Sequence, residues 1–219
     1  MKTKTFLLFF LLITIISCNK ELEIIDKPIE FGDLRKQLSL EYMESHYGIT
    51  QDAPTIEPKI IVLHWTAIPT LGASFNAFID TKIGSHRTKI NTASNLNVSS
   101  QFLVDLDGTI YRLMPENFMA RHVIGLNHSA IGIENVGGTA ATPLTEKQVA
   151  ANIRLVTYLK NKYDIDYLIG HYEYTNFENH ELWLEKDSGY RTKKTDPGKD
   201  FLLKIKNATK HLNFKETPN

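Results

Sequence analysis

The chain has 219 residues, no net formal charge from 25 basic and 25 acidic side chains, 42% hydrophobic residues and a single cysteine. That length accommodates one domain of ordinary size with accessory segments. Balanced charge gives no electrostatic case for nucleic acid as a partner, and one cysteine excludes an intramolecular disulfide.

Lys2 and Lys4 precede an apolar run from Phe6 to Ile16, broken only by Thr14, which is the pattern of a secretory signal. A spanning helix needs roughly 20 apolar residues, more than this run supplies. The run ends in Ile15-Ile16-Ser17-Cys18, which resembles a bacterial lipobox. The resemblance implies cleavage before Cys18, lipid on its sulfur and a membrane-anchored lipoprotein of the bacterial cell envelope, expected at the periplasmic face of the outer membrane. Residues 1–17 are thus expected to be a signal peptide. Residues 18–32, mostly polar and charged, are expected to be a tether.

Residues 33–57 should hold a helix and a connection, with Asp33 as cap, Leu34, Leu38 and Tyr42 at i, i+4 and i+8, and Gly48 as stop. This helix is expected to pack on the outside of a domain spanning 58–212, with 213–219 as a tail. The domain opens with "PKIIVLHWTA", a β-branched run after Pro58 that predicts a buried strand ending at His64. Leu71, Phe75, Phe78 and Ile79 mark an amphipathic helix. The polar stretch 82–97 reads as a long surface loop bordering a groove. "SSQFLVDLDGTIYRLMP" predicts a hairpin about Asp107-Gly108. "SAIGIENVGG" predicts a strand carrying Glu134. Thr145 and Gln148 form a capping box for a helix reaching Tyr163, with Val149, Ile153, Val156 and Leu159 on one face. "DYLIGHYE" returns to a strand ending at His171. This alternation with one antiparallel hairpin predicts an α/β fold, a central mixed sheet flanked by helices on both faces, with its sites at strand ends.

His64 and His171 therefore occupy the same kind of place, and two imidazoles at strand ends are positioned to converge on one metal. Asp196, in "KKTDPGKDF" ahead of Pro197 and Gly198, offers a third ligand that leaves a coordination position for water. The separations match no local metal motif, so spacing alone leaves zinc open.

Five ordered blocks, "IIVLHWTA", "VSSQFLVDLDGTIYRLMP", "HSAIGIENVGG", "LIGHYE" and "KTDPGKDF", resemble the type-2 N-acetylmuramoyl-L-alanine amidases. That zinc family also includes peptidoglycan-recognition proteins. The resemblance covers 58–201 and implies Zn2+ held by His64, His171 and Asp196. It implies Glu134 as the group that orients or deprotonates the attacking water. Lys194 is implied as the cation that stabilises the oxyanion, with Lys193 turned the other way. Each ligand histidine should donate its second ring N–H to a carbonyl or carboxylate. His122, in "ARHVIG", falls where the family often has W-H-A-G, with Arg121 in place of tryptophan and Val123-Ile124 in place of the small residue. His122 and Asn127 are the expected substrate contacts, whereas His46, His86, His128, His180 and His211 carry no such implication. The long segment 172–193, with Trp183 and Tyr190, is expected to be a packed surface insertion rather than an aromatic platform. The implied function is hydrolysis of the amide between N-acetylmuramic acid and L-alanine in peptidoglycan or muropeptides, by a monomer. The alternative is a peptidoglycan-binding module of the same fold that has lost hydrolysis.

Overall fold

The computed structural model describes residues 22–85 and 88–218. Six strands, β1 (Ile25–Asp26), β2 (Ile60–Leu63), β3 (Phe102–Val104), β4 (Ile110–Arg112), β5 (Ala130–Asn135) and β6 (Tyr167–Gly170), form one sheet in the order β1-β4-β3-β5-β2-β6. Only β3 and β4 pair antiparallel, across the expected turn, and every other neighbour is parallel.

β2 has no exposed residue, which is why it reads as a continuous apolar run instead of alternating. Successive side chains still leave opposite faces. Ile60 and Val62 pack with Leu38, Tyr42 and Met43 from α1 (Asp33–Tyr42) and the turn after it. Ile61 and Leu63 pack with Leu155, Val156 and Leu159 of α4 (Glu146–Lys162) and with Phe201, Leu202 and Ile205 of α5 (Lys199–Ala208). α2 (Leu71–Ile79) adds Phe78 to a third cluster with Leu103, Leu113 and Val136, while Ile79 turns outward. A short helix, Thr88–Asn91, lies within the 82–97 loop. Helices thus cover both faces of a mixed sheet, as expected. The α4 capping box also forms: Thr145 Oγ1 accepts from Gln148 N at 3.1 Å, and Thr145 N donates to Gln148 Oε1 at 2.9 Å.

Three segments differ from expectation. Part of the stretch read as tether is folded: Ile25 and Asp26 pair with Tyr111 and Arg112, Ile29 N donates to Leu113 O at 2.8 Å, and Ile29 is buried. A two-residue edge strand made by backbone bonds leaves no periodic signal in a polar sequence. Gly32, not Asp33, is the N-cap of α1, and the helix runs on into a π turn, Met43–Tyr47, that Gly48 ends at φ 70°. The helix packs on the outside with one face exposed, as expected, and its inner face buries Arg35, whose Nη2 donates to Phe78 O (3.0 Å), Ile79 O (3.2 Å) and Asp80 O (2.5 Å), satisfying carbonyls left open at the end of α2. The C-terminal stretch is tied back as well, with Lys215 N donating to Asp166 O at 2.8 Å. Cys18, the expected signal segment and His86 lie outside the described residues.

Candidate metal centre and active site

β5, β2 and β6 lie side by side with Leu63 level with Ile133 and Gly170. The next residues along, Glu134, His64 and His171, therefore stand in one rank at the carboxyl ends of three parallel strands. Alternation aims His64 to the same side as Ile60 and Val62. Asp196 reaches the rank from the last loop, where Tyr172 N donates to Asp196 O (3.1 Å) and Gly198 N to Thr195 O (3.0 Å).

The result is a triangle of ligand atoms. His64 Nδ1 lies 2.9 Å from His171 Nδ1 and 3.2 Å from Asp196 Oδ2, and His171 Nδ1 lies 3.0 Å from the same oxygen. All three residues are buried. An ion bound tetrahedrally through bonds of about 2.0–2.1 Å needs its donors roughly 3.3 Å apart, close to what this triangle offers. Burial, reinforced by neighbouring His64, pushes the His171 imidazole down to about 3, so it is neutral at neutral pH. Burial pulls the other way on Asp196, but contact with His171 and His64 outweighs it and holds the carboxyl well below the usual carboxylate range. Neutral imidazoles and an ionised carboxylate are the protonation states that metal ligation requires.

An open cleft of about 190 Å³ lies over the cluster, lined by His64, Trp65, Glu134, Lys194 and Asp196 among others. Lys194 is half-buried on this wall, whereas Lys193 is exposed, as the alternation of an extended segment predicts. Trp65 lies against Gly138 (φ 95°), where an added Cβ would sit 2.3 Å from Trp65 Cγ, so this approach requires glycine.

His122 Nδ1 lies 3.0 Å from His64 Nε2, and His122 Nε2 lies 3.3 Å from Ala130 O. Both ring nitrogens thus have partners within the protein, while the half-buried ring also lines the cleft. Burial and then His64 push this imidazole well below its ordinary value. Asn127 is buried, its Oδ1 accepts from His122 N (2.8 Å) and Val123 N (2.7 Å), and its Nδ2 donates to Tyr47 Oη (2.8 Å). Its amide holds the His122 loop in shape. The oxygen partner expected for each ligand histidine is missing too. His64 Nε2 faces an imidazole, and His171 Nε2 is buried with no hydrogen-bond partner among the described residues.

Several supporting residues escaped the sequence reading. Asn135 Nδ2 donates to His64 O at 3.0 Å and Asn152 Nδ2 to Asn135 Oδ1 at 2.7 Å, which fixes the backbone at the first ligand. Buried Arg121 donates to the carbonyls of Ile90, Ser94 and Leu96 and to Tyr190 Oη, clamping the 82–97 loop beside the cleft. His46 Nδ1 lies 2.7 Å from Glu185 Oε1 in a buried pair joining the π turn to the insertion. Such long-range partners have no local sequence signal. The insertion packs as expected: Trp183 stacks on Tyr174 at 6.1 Å, with the Arg191 guanidinium 4.6 Å from its ring.

These features define a class, an α/β protein with two histidines and an aspartate, fit to hold a metal ion, at the ends of parallel strands. The family model for N-acetylmuramoyl-L-alanine amidase matches residues 45–199, and the chain belongs to that family. Among solved structures it is similar to the N-acetylmuramoyl-L-alanine amidase LysC from Clostridium intestinale URNW, with 22% identity, a TM-score of 0.53 and coverage of 88% of this chain and 99% of that one. A selenomethionine derivative of AmpD gives 21%, 0.51, 85% and 94%. Human PGRP-IBETAC in complex with glycosamyl muramyl pentapeptide gives 19%, 0.50, 77% and 93%. At such identities the likeness shows the fold. The comparison with curated proteins returned no match.

Proposed function

We propose that this chain is a zinc-dependent amidase that cleaves the amide between the lactyl group of N-acetylmuramic acid and L-alanine in peptidoglycan or muropeptides. The observation that carries this reading is the triangle of His64 Nδ1, His171 Nδ1 and Asp196 Oδ2 under an open cleft, in a chain of the amidase family. Two nitrogen donors and one oxygen suit zinc and leave a coordination position free. A bound zinc supplies Lewis acidity, polarising a carbonyl and acidifying water. Glu134, at the same level as His64 on the next strand, takes the proton of the attacking water and delivers it to the departing amine. Lys194, on the cleft wall, places a positive charge where the scissile carbonyl gains negative charge. His64, His171 and Asp196 would hold the metal, and the register of β5, β2 and β6 keeps Glu134 level with His64.

The test is digestion of purified sacculi and of isolated muropeptides, with and without a chelator, with the products weighed. Release of intact stem peptide with a free L-alanine amine, abolished by chelation and restored by zinc, is the expected result. Metal-free protein that binds muropeptide without releasing an amine would establish the binding module instead. Cuts within the stem peptide would establish an endopeptidase.

The enzyme's proposed place is the bacterial envelope, on lipid attached to Cys18, at the periplasmic face of the outer membrane. The lipobox-like Ile15-Ile16-Ser17-Cys18 supports this, and so does the insoluble polymer the enzyme would meet there. Labelled palmitate should enter the wild-type chain and not Cys18→Ala. Equal labelling of the two would remove the anchor.

A further inference from the structure

We propose that His122 is a positioning residue that sets the tautomer of His64, through a chain of hydrogen bonds running from His64 through His122 to the carbonyl of Ala130. This rests on the zinc reading above. For His64 to offer the Nδ1 lone pair to a metal, its proton must sit on Nε2. The His64 side chain is 2% exposed, so that N–H needs a partner inside the protein. The atom facing it is His122 Nδ1 at 3.0 Å. A neutral imidazole accepts at Nδ1 only when its own proton is on Nε2, and there Ala130 O lies 3.3 Å away as acceptor. The whole chain is then satisfied by one proton arrangement, and that arrangement leaves His64 Nδ1 bare. The reverse arrangement would put a proton on the atom that must bind the metal.

A second observation shows that the ring's place is built. Gly132 stands inside β5 between buried neighbours, where glycine weakens a strand and packs nothing. A Cβ there would lie 2.9 Å from His122 Cγ and 3.0 Å from Cδ2 and Nδ1. The strand is cut away beneath the imidazole, and Asn127 pins the same residue from its backbone side at 2.8 Å. The ring centroids stand 5.1 Å apart, a separation that fits an in-line contact between the two nitrogens at 3.0 Å.

The experiment measures zinc affinity of the full-length chain by competition with a chromophoric chelator. His122→Phe, which keeps a ring and removes the acceptor, should bind zinc 10–100-fold more weakly, the usual loss when the partner of a ligand histidine is removed. His122→Asn places an amide oxygen near the position of Nδ1 and should recover most of that loss. Gly132→Ala, which crowds the ring without changing it, should weaken zinc binding in the same direction. Nitrogen-15 spectra of the zinc-loaded wild type should show His122 protonated at Nε2 and bare at Nδ1. His122 protonated at Nδ1, or wild-type affinity in His122→Phe, overturns the proposal alone. Equal losses in His122→Phe and His122→Asn reduce the residue to packing and overturn it as well. Should His122→Phe fail to fold, the spectrum and Gly132→Ala decide. A wild-type chain that takes up no zinc overturns the proposal together with the reading beneath it.

Discussion

At the scale of single residues, the ligand cluster and Glu134 do separable work, because Glu134 is absent from the triangle of mutually close donor atoms. His64→Ala or Asp196→Ala removes a corner of that triangle and should abolish both bound metal and turnover, read by metal analysis beside the amidase assay. Glu134→Gln keeps the triangle and the side-chain volume but cannot carry a proton. It should retain metal and lose roughly 100-fold or more in kcat. Wild-type turnover in that variant would remove Glu134 from the mechanism. Lys194→Ala should also keep its metal while losing on the order of 100-fold in kcat, the scale of one lost oxyanion donor. His64 and His171 were legible in the sequence because each ends an aliphatic strand. Their meeting was not derivable from spacing, since it depends on β2 and β6 being neighbours in register, Leu63 beside Gly170. The protein partners of His122 and Asn127 were not legible for the same reason: His64 and Tyr47 are far from them in sequence and reach them only through the fold.

Between elements, the insertion is held to the π turn by His46 and Glu185. Burial alone would lower the His46 imidazole below 6.5, but the bond to Glu185 outweighs it and raises the imidazole above that ordinary value. A histidine raised in the folded state contributes stability that is complete below about 6.5 and is lost as pH climbs through the raised value. Removing one partner of a buried pair costs up to about 3–5 kcal/mol, less here because His46 can shed its proton. Limited proteolysis should therefore cut within 178–193 faster as pH rises above neutral. Glu185→Gln should be cut fast at every pH, with the far-ultraviolet spectrum of the sheet and helices unchanged. Proteolysis in the wild type that ignores pH would discount the pair as the clasp. The main strands and helices were legible because each carries its own periodicity or cap, as with Thr145 and Gln148. The clasp was not, because a histidine and a glutamate 139 residues apart carry no mutual signal.

For the whole molecule, the family match begins at residue 45, yet the packed core begins earlier. Leu38, Tyr42 and Met43 are buried at 7%, 1% and 1% exposure in the same cluster as Ile60 and Val62 of β2, and Arg35 closes the end of α2. Burying Leu38 and Met43 contributes about 1.5–3 kcal/mol each, and Tyr42 at least as much, for a total of roughly 5–9 kcal/mol. Domain stability is typically about 5–15 kcal/mol, so losing that contribution removes most or all of it. A chain starting at Ser45 should therefore show no cooperative urea transition and should expose apolar surface to a hydrophobic dye. A chain starting at Leu22 should unfold in one sharp step. The site should disappear along with the core, because Ile60 and Val62 lead directly into His64 and depend on that packing for their place. Zinc affinity of the shorter chain is thus expected to collapse even though every ligand is still present. A Ser45 chain with a wild-type urea midpoint would mean that α1 covers the core without supporting it.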